Sequence, residues 1–204
     1  MRIAIIAEVF LPKIDGVVGR TLNLIQQLLD NGDDVVVVCP EVKQARNSPV
    51  PLIEFAGFPC ASYPEYIIGQ PDRGLVEKLK DFRPDVVHFL NPFAFGFQCC
   101  DLLSQSDLRV PKLFSFHTLY GEFVKRYPGL RSLSRPLWWL MKKYHNTADM
   151  NLTVSSVIMD DLQRRGFERV ALWPPAVDSN RYSPHRKNAP MRYRLSGNHP
   201  ESPL

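Results

Sequence analysis

The chain has 204 residues, 45% of them hydrophobic and 23% charged, with a formal net charge of +4. A chain of this length buries roughly 70% of its unfolded surface, which excludes a disulfide-stapled mini-protein and a natively disordered chain. The mild basicity is only a weak argument for nucleic acid or anionic lipid. The four cysteines, Cys39, Cys60, Cys99 and Cys100, have no CxxC or finger-like spacing. A disulfide framework and a structural zinc are therefore not expected, and a reducing compartment is. No apolar run reaches the ~18 residues that a membrane span needs.

The opening MRIAIIAEVFLPK has the apolar content of a short signal, but Glu8 interrupts it and no small-residue cleavage site follows. It reads instead as a buried strand over residues 3–7, apolar throughout because a central parallel strand is covered on both faces. After the loop FLPKIDG, Val18, Leu22, Ile25 and Leu28/Leu29 recur at helical spacing, and Asn31-Gly32 marks the helix end. Strands are predicted at 35–38 and 52–55, and a helix from Gln70-Pro71-Asp72 to about residue 82. A strand at 85–90, a helix at 95–104 and a strand at 112–117 follow. Later strands are expected at 150–154 and 169–173, with a helix over 156–165 between them. This alternation predicts an α/β fold, a Rossmann-like doubly wound parallel sheet with right-handed crossovers. From Ser183 onward, four prolines and few core candidates predict a linker or frayed tail. The expected organisation is a domain of residues 1–182 and a tail of 183–204 leading toward a missing second domain.

Open α/β sheets bind ligands at the carboxyl ends of their strands, where the first helix N-terminus is a ready anion site. The loop there, EVFLPKIDGVVGR, carries Asp15-Gly16 and Gly19, a GxxG and not a GxGxxG pattern. Gly16 would let a diphosphate approach backbone N–H groups with no Cβ intervening. Alternatively Gly16 makes a tight turn and Gly19 permits close helix–sheet packing. His117 closes a predicted strand, where an imidazole can donate to a sugar hydroxyl or to charge developing in a transition state. The plainer alternative is a capping or core histidine. His88, inside an apolar strand, reads as packing.

The segment LYGEFVKRYPGLRSLSRPLWWLMKKYH sets Lys125, Arg126, Arg131, Arg135, Lys142 and Lys143 against Glu122 alone. Leu130, Leu133, Leu137, Leu140/Met141 and Tyr144 are expected on one helical face, with Trp138 and Trp139 beside them. Such a helix either rests on anionic lipid or packs on its own domain with a solvated basic side. No D-x-D, GxxxxGK[ST] or GxSxG pattern is present, and the positive charge is too sparse for a nucleic-acid stripe.

The stretch MRIAIIAEVFLPKIDGVVGRTLNLIQQL resembles the opening of the family-4 retaining glycosyltransferases of GT-B fold, whose first loop ends in a glycine before a helix. FSFHTLYGEFVKRY resembles that family's segment with the active-site histidine. VALWPPAVDSNRYSP stands where the family's N-G-V-D…R-F-x-P stretch leaves the first domain. Within the family the resemblance is nearest to the cyanobacterial and plastid sulfoquinovosyltransferase branch, with glycolipid mannosyltransferases as neighbours. It covers essentially the whole chain.

The resemblance implies the N-terminal, acceptor-side half of a GT-B fold. Gly16 would lie against the donor diphosphate, and His117 would contact the donor sugar as the catalytic residue. Asp15, Tyr120, Lys125, Arg126, Trp138, Trp139, Lys142 and Lys143 become candidates for acceptor or membrane contact. No metal and no other cofactor is implied. The implied reaction is retaining transfer of sulfoquinovose from UDP-sulfoquinovose to diacylglycerol, in sulfolipid synthesis. The implied setting is cytoplasmic and peripheral to an anionic membrane (thylakoid or plasma membrane), with no nucleic-acid partner. A GDP-mannose-type glycolipid mannosyltransferase and a non-catalytic lipid- or ligand-binding fragment are the alternatives. Since the family's donor grip lies in the second domain, these residues alone are expected to be inactive. One departure concerns Pro175-Ala176 before Val177-Asp178, where the family has Asn-Gly. Ala176 does not readily take φ > 0, and Pro174-Pro175 stiffens the path.

Overall fold

Five consecutive buried residues, Ile3 to Ala7, put β1 (Arg2–Ala7) at the heart of the sheet. The computed structural model describes residues 1–44, 47–61, 63–127, 129–175, 183–186, 188–197 and 199. β2 (Asp34–Pro40) and β3 (Leu52–Phe55) extend from one side of β1. A hairpin of β4 (Gly57–Cys60) and β5 (Tyr63–Gly69) intervenes in the chain before the other side is built. That side consists of β6 (Val86–Leu90), β7 (Lys112–Phe116), β8 (Met150–Thr153) and β9 (Val170–Leu172). The order β3-β2-β1-β6-β7-β8-β9 is parallel throughout.

Strand residues alternate between the two faces, so each strand feeds two cores. Ala4, Ile6, Val36, Val38, Val87 and Phe89 face α2 (Gly74–Phe82) and α3 (Ala94–Ser104). Ile3, Ile5, Ala7, Val35, Val37 and Cys39 face α1 (Gly16–Asp30), whose Val18 and Ile25 are fully buried. A third cluster, Phe116, Trp138, Met141, Leu162 and Phe167, seats α5 (Ser134–His145) and α6 (Ser156–Arg164) on the far strands. Among the described residues no helix is long and apolar enough to cross a membrane. None of the four cysteines is in a disulfide.

Every predicted strand forms, as do the helices predicted outside the basic segment. The helix expected from residue 70 begins at Gly74, because the Asp72 carboxylate accepts the Gly74 N–H and turns the chain first. The β4–β5 hairpin has no counterpart in the sequence reading, since Pro59 and Pro64 interrupt both strands and most of its residues are exposed. The long amphipathic helix expected over the basic segment is a correction. It breaks into α4 (Tyr120–Phe123), two single 3-10 turns (Val124–Arg126 and Arg131–Leu133) and α5, with Gly129 at φ 82 between the turns. Leu130 and Leu133 therefore stand in solvent, while Trp138 and Met141 are buried.

The described residues form two units, Met1–Pro174 and Pro175–Leu204. The second contains α7 (Ala189–Leu195), capped by the Asn188 side chain, with none of its residues buried. Ala176, Val177 and Asp178, on which the Asn-Gly departure turns, lie outside the described residues.

Two glycines give opposite expectations for stability. A Cβ on Gly19 would meet nothing within 4 Å, so the close-packing role expected for it is absent. A Cβ on Gly121 would press into the Trp138 indole, closer than real side-chain contacts come. Gly19→Ala is expected to stabilise the chain by up to about 1 kcal/mol through helix propensity. Gly121→Ala is expected to destabilise it by roughly 1–3 kcal/mol. Urea denaturation of the two variants reads both signs, and a Gly121→Ala chain as stable as the native one would contradict this packing.

Candidate functional site

The strand order runs one way from β1 through β2 and β3 and the other way through β6 to β9, so it reverses between β1 and β6. At such a reversal the residues following the strands splay apart and line a crevice. Here those residues are Glu8 after β1, Asn91 after β6 and His117 after β7.

Asn91 fastens this rim. Its φ of 50 is a left-handed conformation that asparagine tolerates better than most residues, and only 7% of it is exposed. Its side-chain oxygen accepts the backbone N–H groups of His117 (3.0 Å) and Thr118 (2.8 Å). Its amide nitrogen donates to the Tyr120 hydroxyl at 2.7 Å. Tyr120 also stacks on Phe93, with ring centroids 4.7 Å apart. Burial raises the Tyr120 pKa, so the phenol keeps its proton.

His117 is half-buried. Its Nε2 lies 3.1 Å from Ser115 Oγ, which lies 3.0 Å from His88 Nε2. Burial, with Arg20 nearby, pushes the His117 pKa down to about 4. Burial, then the charges of His117 and Arg20, pushes His88 to about 3. Both rings are neutral at pH 7. His88 is buried, as its apolar strand predicts, but it is also hydrogen-bonded into the chain behind His117.

Trp173, just past β9, closes the other side of these rings. Its ring centroid stands 5.5 Å from that of His88 and 6.0 Å from that of His117. Arg20 of α1 lies over the same indole at 4.0 Å and donates to the Trp173 carbonyl at 2.9 Å. The N-terminal half of α1 is thereby tied to the histidine side of the rim. Asp15 caps α1, its carboxylate accepting from the Val17 and Val18 N–H groups at 2.9 Å each. Gly16 is exposed, has no positive φ, and a Cβ there would meet nothing within 4 Å. Neither a tight turn nor packing explains this glycine, and the space above it is open.

In the sequence Glu8 is only a break in an apolar run. It is buried, and its carboxylate accepts from the N–H groups of Phe93 (2.5 Å), Phe95 (3.2 Å) and Gly96 (2.7 Å) and from the Tyr66 hydroxyl (2.7 Å). It thus anchors the N-terminus of α3, where a negative charge is favoured, and ties β5 to the rim. Burial raises its pKa against the pull of those four donors.

The basic segment divides differently from expectation. Trp138 is buried: its indole N–H donates to Glu122 and Arg165 covers its ring, so it faces no membrane. Trp139 is 63% exposed. Lys125 is bonded to both oxygens of Glu122, and Arg126 is exposed beside it. Lys142 and Lys143 occupy the last turn of α5, at the end where β8 begins and away from the rim. Phe123, Tyr127, Leu130 and Leu133 are exposed between Lys125, Arg126 and Arg131. A shallow hollow of about 460 Å³, lined by Leu103, Arg109, Lys112 and Asp149, opens at the amino edge of the sheet, remote from this rim. Among the described residues no group of three or more His, Cys, Asp or Glu side chains is placed to hold a metal ion.

Comparison with known proteins gives this geometry a context. A family model described as Glycosyltransferase Family 4 matches residues 14–181. A GDP-mannose-dependent α-mannosyltransferase of Corynebacterium glutamicum is 30% identical over 94% of this chain and 47% of its own length. A sulfoquinovosyl transferase of Arabidopsis thaliana is 29% identical over 94% of this chain and 38% of its own length. An α-monoglucosyldiacylglycerol synthase of Acholeplasma laidlawii is 30% identical over 61% of this chain and 31% of its own. The chain spans about half the length of the mannosyltransferases that it matches. In structure it resembles a sucrose-phosphate synthase of Thermosynechococcus elongatus, with a TM-score of 0.63 at 18% identity over 95% of this chain and 52% of that one. A glycosyltransferase of Rickettsia africae gives 0.60 at 15% identity over 96% of this chain and 48% of that one. These likenesses establish the fold, the Rossmann-like N-terminal half of a GT-B architecture.

The buried imidazoles generate a pH dependence. His145, stacked on Phe116 and fully buried, is pushed by burial to about 3, against a raising hydrogen bond to Asn151. In the unfolded chain His88 and His145 titrate near 6.5, so below that pH the unfolded state binds protons that the folded state refuses. Stability present above about pH 6.5 is lost as pH falls toward 3, by up to about 1.4 kcal/mol per pH unit for each ring. Glu8, with its pKa raised, acts in the opposite direction. The urea midpoint is expected to be lower at pH 5 than at pH 7, with the difference shrinking in His145→Gln. An undiminished difference in that variant would contradict the neutral, buried assignment.

Proposed function

This chain belongs to glycosyltransferase family 4, and we propose that it is the acceptor-side half of a retaining enzyme that moves a sugar from a nucleotide donor onto a membrane lipid. The observation that carries this reading is the pairing, at the sheet's point of reversal, of an open glycine on a helix N-terminus with a neutral, locked imidazole. Asp15 occupies the Val17 and Val18 N–H groups, so a diphosphate would approach the backbone at Gly16 itself. His117, uncharged, would donate to a hydroxyl of the sugar while the bond from its C1 to the diphosphate breaks. Tyr120 sits beside it as a neutral donor or acceptor toward the incoming hydroxyl.

The donor in this reading is UDP-sulfoquinovose and the acceptor diacylglycerol. Its support is the FLPKIDGVVGRTLNL loop together with the Arabidopsis thaliana relative. GDP-mannose is the second reading, supported by the three relatives named as GDP-mannose-dependent α-mannosyltransferases. A lipid acceptor is supported by the surface of Phe123, Tyr127, Leu130, Leu133 and Trp139, whose apolar groups alternate with Lys125, Arg126 and Arg131. Apolar side chains set among cations suit the headgroup boundary of an anionic bilayer. Of the expected face of Trp138, Trp139, Lys142 and Lys143, this reading keeps Trp139 and adds the exposed side chains that follow Tyr120.

Two assays test this function. The purified chain is expected to co-sediment with anionic but not neutral vesicles, less so as salt rises. Trp139→Ala with Leu130→Ser and Leu133→Ser should lower binding about tenfold or more, from the apolar area removed. In the enzyme that unites this chain with a donor-binding half, label should pass from UDP-sulfoquinovose, and not from GDP-mannose, to diacylglycerol. His117→Ala should lower kcat roughly 100-fold or more. Transfer from GDP-mannose alone would select the mannosyl reading. Transfer undiminished in His117→Ala would overturn the role given to the rim, and vesicle binding absent at any salt would overturn the lipid acceptor.

A further inference from the structure

We infer that the Arg20 guanidinium binds a phosphate oxyanion in the crevice, the diphosphate of the nucleotide sugar. This deepens the reading of Gly16 and His117 given above and rests on it only for which phosphate arrives.

A guanidinium stays charged at neutral pH, and one that is partly withdrawn from water calls for a counter-charge. Among the described residues the half-buried arginines are Arg2, Arg20 and Arg165. Arg165 pairs with Asp161 at 2.8 Å and with Glu122 at 3.1 Å, and Arg2 lies 3.6 Å from Asp34. Arg20 pairs with no carboxylate among the described residues. Burial pulls its pKa down, and its charge is felt by the neutral rings of His117 and His88. A ligand anion would supply the missing partner.

The guanidinium is held in one plane before any ligand arrives. It lies over the Trp173 indole at 4.0 Å, and Nη2 donates to the carbonyls of Trp173 at 2.9 Å and Pro174 at 3.4 Å. These bonds draw on Nη2, which leaves the N–H groups of Nε and Nη1 for another acceptor. The same indole stands 6.0 Å from the His117 ring. Along α1, Arg20 follows Gly16 by four residues, so the two share a helix face. Arg20 is thus one helix turn from the glycine read as the diphosphate contact and one indole away from the imidazole read as the sugar contact.

The chemistry suits that place. The planar fork of a guanidinium matches two oxygens of a phosphate, and a side chain already stacked loses little freedom on binding. As the bond from the sugar to the diphosphate breaks, negative charge builds on the leaving oxygens, and a cation fixed beside them stabilises it. His117 and His88, being neutral, supply no such charge. Lys13, in the first loop, is turned to the hairpin, where it donates to the Tyr63 hydroxyl at 2.7 Å and stands over its ring.

Titration of the 204-residue chain with inorganic pyrophosphate tests this, at pH 7 and constant ionic strength, in 1H–15N spectra of arginine and histidine side chains. Pyrophosphate is expected to shift the Arg20 Nε–H and the His117 ring signals together. Those of His145, stacked on Phe116, should stay put and report an intact fold. Arg20→Gln should weaken binding about tenfold or more. Arg20→Lys, which keeps the charge but not the fork, should restore only part of it. Lys112→Gln, at the amino edge of the sheet, should bind as the native chain does. Glycerol 3-phosphate represents a lipid headgroup and methanesulfonate the sulfonate of the sugar. Both carry less charge than pyrophosphate and are expected to bind about tenfold more weakly. Equal binding of either would overturn the assignment to the diphosphate. Binding that survives Arg20→Gln, no binding of pyrophosphate, or saturation that leaves the Arg20 Nε–H unmoved would overturn the inference. The last criterion needs only the native chain, so it decides if a variant does not fold. No sugar is transferred in this titration, so the Arg20 contact can fail while glycosyl transfer stands, and hold while transfer fails.

Discussion

The crevice depends on one side chain that bridges two parallel strands beyond their last hydrogen bonds. Parallel strands leave their carboxyl ends frayed, because the ladder stops and the chains diverge into loops. Asn91 continues the ladder by other means. Its own N–H donates to the Ser115 carbonyl, and its side-chain oxygen accepts the next two N–H groups, those of His117 and Thr118. The position of His117 is therefore set from both sides, backbone by Asn91 and ring by Ser115. Loss of that amide would leave two part-buried N–H groups unpaired, at about 1–3 kcal/mol each. Tyr120, held by the other end of the same amide, makes the contact a three-way junction among β6, β7 and α4.

Glu8 does for β1 what Asn91 does for β6. Each polar residue sits at the first position where a mostly apolar strand meets the rim, and each is buried because it satisfies backbone donors that no ladder reaches. With Arg20 and Trp173 joining α1 to the end of β9, the crevice has walls drawn from β1 across to β9. The apolar, cationic surface around residues 123–133 follows His117 directly in the chain.

The strands and most helices were legible because both signals are local. Buried parallel strands are unbroken apolar runs, and α1 declares itself by its 3.6-residue spacing and its Asn31-Gly32 end. The hairpin was not legible, since Tyr63–Gly69 contains Pro64 and shows no alternation of buried and exposed residues. Trp138 and Trp139 look alike in sequence, and only the break at Gly129 and the pocket against Glu122 and Phe167 separate them. The placement of Gly16 at the start of the first helix and of His117 at the end of a strand could be read from their neighbours. The roles of His88 and Ser115 could not, because they require strand register: Leu90 lies opposite Ser115, so His88 is two residues back on the same face. A signal for Asn91 and Glu8 did exist, a single polar residue ending an apolar run, but without the sheet order nothing says which donors it meets.

The most direct test of this account is amide hydrogen exchange in Asn91→Gly. Glycine takes the left-handed φ of residue 91 freely, so the substitution removes the side chain without straining the backbone. The account predicts that protection at His117 and Thr118 is lost while the amides of β1, β6 and β7 keep theirs. Undiminished protection at His117 and Thr118 in a folded Asn91→Gly chain would contradict it.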